Sequence, residues 1–241
     1  MKRGNAMIKY PLWIRAWLAI CRSPMMYKSY LFVSGRFRQA EYPDASNGFY
    51  LAGFQRSGNS YARRLLLSVF PELSLSSHIH KVAAIKSAIK LNLPVIVLLR
   101  DPSNTLASSI VQQKAKGYSN NRAYACIYEY IDYYSYVLDS LNKVNVVSFE
   151  LLREPKLFIE AVRNTIPSLP AVTDQEILDA SHSVIIGIKP NVNSSQVYAW
   201  QSDEKDNQKA LVMTRINNLP QFKEATDIYV KILSRCGLSE S

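Results

Sequence analysis

The run GFQRSGNS, Gly53 to Ser60, gathers the groups that bind an anionic oxygen: a cation at Arg56, small polar side chains at Ser57, Asn59 and Ser60, and a glycine, Gly58, that lets the backbone turn tightly. The apolar run Phe49–Ala52 precedes it and reads as a strand. Tyr61-Ala62-Arg63-Arg64-Leu65-Leu66-Leu67 follows and reads as the start of a helix. Strand, glycine loop and helix in that order put unpaired backbone N–H groups at a helix N-terminus, where they attract phosphate oxygens. The spacing is that of a nucleoside-triphosphate loop with Asn59 where its lysine would stand, so Arg56 is the nearest cation. The loop therefore predicts a phosphate-bearing donor other than ATP.

Two further sets of residues carry chemistry. His78 and His80, in Ser-His-Ile-His, follow a short run that reads as a strand, and histidine is the natural base near neutral pH. His78 is the first choice for that role and His80 the second; His182, between serines, reads as structural. Arg100-Asp101-Pro102 ends the apolar run Pro94–Leu99. Asp101 invites a magnesium-ligand reading, but Arg100 and Pro102 beside it place a cation and a helix-starting proline where a metal ligand would need room.

The elements that must position these groups alternate. Leu73–Ser77 reads as a short strand, Lys81–Leu91 as a helix with Val82, Ile85, Ala88 and Ile89 at helical spacing, and Pro94–Leu99 as a central strand buried on both faces. Asn121–Asn142 is a long amphipathic helix studded with tyrosines, Val144–Phe149 a further strand, and Pro155–Ile166 a helix. Gly187–Asn207, rich in Asn, Ser and charge, reads as a loop before a last helix around Phe222–Cys236. The prediction is a single α/β domain, a parallel doubly wound sheet flanked by helices with a P-loop-like first turn.

Charge divides the chain in two. The 241 residues carry a formal +10, but residues 1–40 hold eight cations and no acid, leaving only +2 for residues 41–241. A nucleic-acid-binding core would carry its basicity on the folded domain, so none is expected here. Residues 1–40 are read as a separate basic, apolar segment, either a cationic helix lying on an anionic membrane surface or a first helix packed on the domain. Arg15 and Arg22 interrupt its apolar run, which makes a membrane span or a secretory leader a poor fit. Cys21, Cys126 and Cys236 are scattered and odd in number, which suggests a reducing compartment such as the cytoplasm, and neither a disulfide framework nor a metal site.

Three segments together resemble the PAPS-dependent sulfotransferase family, PAPS being 3′-phosphoadenosine 5′-phosphosulfate. FQRSGNSYARRLL is similar to that family's loop for the 5′-phosphosulfate. VIVLLRDPSNTLASS is similar to its 3′-phosphate motif, with Arg100 at the strand end and Ser108 eight residues on. VVSFELLREP is similar to a late strand of its core. The resemblance spans about Gly48 to Ile166. It implies PAPS as co-substrate, no metal, and a sulfuryl group moved to an acceptor hydroxyl; the basic N-terminal segment makes a glycan or lipid-linked sugar at a membrane surface the first guess for that acceptor. It assigns the donor to Arg56, Ser57, Gly58, Asn59, Ser60, Tyr61, Arg100 and Ser108, and the chemistry to His78 or His80 with Arg56. Where the family often has Lys-Thr-His this chain has Ser76-Ser77-His78, so Arg56 or Lys81 would have to neutralise the leaving oxygen. Glu150 reads as structural. The family's C-terminal Arg-Lys-Gly segment has no counterpart, with Lys189 and Asn191–Ser195 as positional substitutes. A nucleotide-dependent kinase and a non-catalytic membrane-attached binding protein are the alternatives.

Overall fold

The structure, a computed structural model, describes residues 10–37, 41–188 and 203–238. Its centre is a four-stranded sheet made of β1 (Phe49–Gly53), β2 (Leu75–Ser76), β3 (Val95–Leu99) and β4 (Asn145–Ser148), in the order β2-β1-β3-β4. Every pairing is parallel; Leu51 sits opposite Ile96, and Val97 opposite Val146. Parallel neighbours need crossovers, and these are helices: α3 (Asn59–Val69), α4 (Val82–Lys90), and the pair α5 (Pro102–Ala115) and α6 (Asn120–Asp139).

Strand side chains alternate between two cores, as the period of 2 requires. Tyr50, Ala52, Val95, Val97 and Leu99 enter one core with α4, α6 and α10 (Pro220–Cys236). Phe49, Leu51, Ile96 and Leu98 enter the other with α3, α7 (Pro155–Thr165) and α8 (Asp174–Ile188). β1 and β3 are buried throughout, which is why their sequences are continuously apolar. The sheet is thus doubly wound, as its alternating elements predicted.

Two stretches depart from expectation. Gly187–Asn207 was read as a loop. Its ends are helical, because α8 runs to Ile188 and α9 begins at Asp203 and continues to Ile216. Lys189 and Asn191–Ser195 lie outside the described residues. The basic N-terminal segment, read as separate, contributes α1 (Leu12–Arg22) and α2 (Pro24–Val33), whose Cys21, Tyr27 and Leu31 join the same core as the sheet. Arg22 pairs with the buried Asp132 of α6, and the Trp17 indole N–H donates to Glu129 at 2.7 Å. Residues 12–33 are part of the domain. Among the described residues, no helix is long and apolar enough to cross a membrane.

Candidate active site

The C-terminal ends of the strands carry the site, as in other open parallel sheets. After β1 the chain turns through Gly58, which has φ +85° and caps α3. A Cβ there would stand 2.6 Å from Leu152 Cδ1 and 2.9 Å from Phe149 Cε2, so only glycine lets the loop pass beneath the short 3₁₀ turn Phe149–Arg153. Asn59 shapes the loop from within. It is buried, its amide donates to the Phe54 carbonyl at 2.9 Å, and its Oδ1 fills the space a Cβ on Gly53 would need.

Arg56, Arg100 and Ser108, read from separate segments, meet here. Arg56 Nε–H donates to Ser108 Oγ at 2.9 Å, and Arg100 Nη1 donates to the Arg56 carbonyl at 2.7 Å. The Arg100 guanidinium lies over the Phe149 ring, 4.0 Å from its centroid. Burial lowers the pKa of both arginines, and the Arg56 charge lowers that of Arg100 further. Two partly desolvated cations side by side can attract an anionic oxygen.

Arg56 also has φ +68° and His78 φ +65°, two of the three non-glycine residues with positive φ among those described. Each such residue costs about 1–3 kcal/mol and persists only where its surroundings enforce it. The Arg100 bond does so at Arg56. At His78 the chain Glu41–Ser77–His78 does so. Ser77 Oγ donates to Glu41 at 2.8 Å, so the His78 Nδ1–H donates to Ser77 Oγ at 2.6 Å. That tautomer turns the Nε2 lone pair toward Ser60 Oγ, 3.3 Å away on the first turn of α3. Burial lowers the His78 pKa, with Glu41 opposing it and Arg63 adding to it.

His80 lies beyond the buried Ile79, its ring centroid 6.4 Å from that of His78. Its Nδ1–H donates to the Gly53 carbonyl at 2.7 Å, fixing Nε2 as the unprotonated nitrogen. Burial pushes its pKa down to about 4, so the ring is neutral at pH 7. Lys81 is turned away to Glu129 at 2.6 Å. Burial is the largest single influence and works against its ammonium, but Glu129, Cys21 and Tyr27 together outweigh it and hold the pKa above the usual lysine range.

Three of the expected donor-binding residues have side-chain partners within the fold. Ser57 is fully buried with Oγ 3.4 Å from the Tyr134 hydroxyl, which itself donates to the Leu98 carbonyl. Asn59 uses its amide on Phe54, and Tyr61 carries its hydroxyl to Ser181 of α8 at 2.9 Å. Ser60, by contrast, stays exposed on the first turn of α3. Asp101, the magnesium reading, accepts from the Ser103 and Asn104 amides as the N-cap of α5. Glu150 pairs with Arg153 at 3.0 Å, and His182 is exposed on α8.

Two features were not read from the sequence. Lys205 on α9 has its pKa lowered by burial and then by Arg56, which places a third cation within electrostatic reach of the loop. A cleft of about 740 Å³ opens beside the loop residue Gln55, between the α1–α2 hairpin and the turn joining α5 to α6. Trp13, Trp17 and Tyr118 supply ring faces there, and Arg36, Lys116 and Arg122 supply charge.

No family model and no curated protein matches the chain. Among solved structures, the crystal structure of mouse sulfotransferase SULT7A1 complexed with PAP aligns over 77% of this chain and 89% of that chain, at 9% identity and a TM-score of 0.48. So distant a likeness bears on neither activity nor ligand. The protein is a doubly wound α/β domain whose glycine loop and strand ends bring Arg56, Arg100 and Ser108 together at one edge.

Proposed function

We propose that this domain is a sulfotransferase that moves a sulfuryl group from PAPS to a hydroxyl on a carbohydrate acceptor. The observation that carries this reading is the convergence of Arg56, Arg100 and Ser108 at one strand edge. The donor has a 5′-phosphosulfate and a separate 3′-phosphate, and this edge offers a receptor for each. Arg56, Ser60 and the first amides of α3 suit the phosphosulfate; Arg100 and Ser108 suit the 3′-phosphate. Lys205 adds charge from α9.

In the transfer, a bond forms between the acceptor oxygen and sulfur as the bond from sulfur to the bridging phosphate oxygen breaks. The acceptor proton needs a base and the departing phosphate needs positive charge. We assign the base to His80 in preference to His78. Its Nε2 is left unprotonated by the bond to Gly53, and Lys81, next to it in the chain, lines the cleft where an acceptor fits. His78 instead overlooks the first turn of α3 through Ser60, where the departing phosphate would lie. An anion at that turn raises the His78 pKa, so its imidazolium supplies the charge that the loop lacks without a lysine. The cleft's ring faces and its cations, Arg36, Lys116 and Arg122, fit an acidic sugar chain better than a neutral apolar acceptor.

The two histidines separate by kinetics. His80→Ala should lower turnover about a hundredfold or more while leaving the affinity for adenosine 3′,5′-bisphosphate unchanged. His78→Ala should lower both, with His78→Lys recovering part of each. Full turnover in His80→Ala, with loss confined to turnover in His78→Ala, would return the base to His78.

A further inference from the structure

The outward face of α2 is apolar without a covering element among the described residues. Tyr27 and Leu31 point into the core, as a packed helix requires. The opposite side carries Met25, Met26, Ser29, Phe32 and Val33, which fall within one sector about 120° wide at 100° per residue. Met25 is 76% exposed, Phe32 75% and Val33 86%. A surface helix ordinarily turns polar residues outward, and a contiguous apolar face of this kind marks a docking surface.

Charge selects the occupant. Lys28 borders the apolar sector and Arg36 follows the helix; both are exposed. Residues 1–40 contain no acid. A second copy of this chain, docking by a two-fold axis, would set these cations against their own images. A bilayer with anionic headgroups meets the apolar face with its acyl boundary and the cations with its phosphates. We propose that the α2 face seats the domain on an anionic membrane surface, with Met25, Phe32 and Val33 entering the headgroup boundary and Lys28 and Arg36 at the lipid phosphates. This rests on exposure and charge and is independent of the transfer reaction. It has one consequence for that reaction: α2 also lines the cleft through Tyr30 and Leu31, so docking brings the cleft close to the lipid surface.

Co-sedimentation of the full chain with phosphatidylcholine vesicles, with and without phosphatidylserine, tests the proposal. Binding should require phosphatidylserine and weaken with salt. The double variant Phe32→Ser, Val33→Ser should bind at least tenfold more weakly. Lys28→Gln should bind about fivefold more weakly at low salt only. Thermal unfolding and nucleotide binding of both variants should match the parent, since these side chains are exposed. Undiminished binding by the double variant, equal binding to both vesicle types, or a dimer that the double variant abolishes without any vesicle binding would each overturn the proposal.

Discussion

The strand edge and the N-terminal hairpin use their polar groups in opposite ways. At the edge, side chains turn inward to hold the backbone: Asn59 on Phe54, Tyr134 on Leu98, Tyr130 on the Arg100 carbonyl at 3.0 Å. What remains pointing outward is cationic. In the hairpin the polar groups are the fastening itself, with Arg22 on Asp132 and Trp17 on Glu129, and the outward face of α2 is apolar. The edge gathers cations at strand ends; the hairpin is a wall that Cys21, Tyr27 and Leu31 anchor in the core and that Arg22 and Trp17 fasten to α6. A region's basic charge thus says little until its partners are known, since Arg22 is structural and Arg56 faces the site.

The strongest way to break this contrast is to remove the hairpin. A chain beginning near Glu41 loses Cys21, Tyr27 and Leu31 from the core and leaves Asp132 buried without Arg22. Stranding such a charge costs about 3–5 kcal/mol, a large share of a domain's net stability, before any lost apolar burial is added. The truncated chain should be insoluble or lack a cooperative unfolding transition. A soluble truncation with native unfolding would make the hairpin an appendage.

A smaller effect sharpens the edge. His80 is held neutral with its pKa at about 4, below the ordinary 6.5. The unfolded chain therefore takes up a proton that the folded chain refuses between these values. Stability from this group is fully present above pH 6.5 and is lost as pH falls toward 4, by about 3 kcal/mol in total. His80→Asn should flatten that part of the stability profile measured by denaturant titration at stepped pH. An unchanged profile would mean that the ring is not desolvated as described.

The sequence made much of the edge legible because its signals are local. Arg56 and Gly58 lie in one loop, and the distance from Arg100 to Ser108 is fixed by a strand end and the first turns of a helix. The direction of Asn59 and Tyr61 was not legible, since a polar residue at a helix start faces a ligand or the interior depending on distant packing. Lys205 escaped notice because α9 approaches the loop from about 150 residues away, a tertiary relation that no spacing encodes. The hairpin's apolar and basic composition fits both a packed helix and an interfacial one. Buried partners such as Asp132, visible only in the fold, settle that residues 12–33 are packed.

In the proposed function the edge receives two anionic groups of one donor. Thermal unfolding with adenosine 3′,5′-bisphosphate and with 5′-AMP tests it directly, because the two differ only in the phosphate assigned to Arg100 and Ser108. At a hundredfold over its dissociation constant the bisphosphate should add about 2.7 kcal/mol, with 5′-AMP at the same concentration adding clearly less. Arg100→Ala should erase most of that difference. Equal stabilisation by both nucleotides, or stronger stabilisation by ATP with magnesium, would contradict the account.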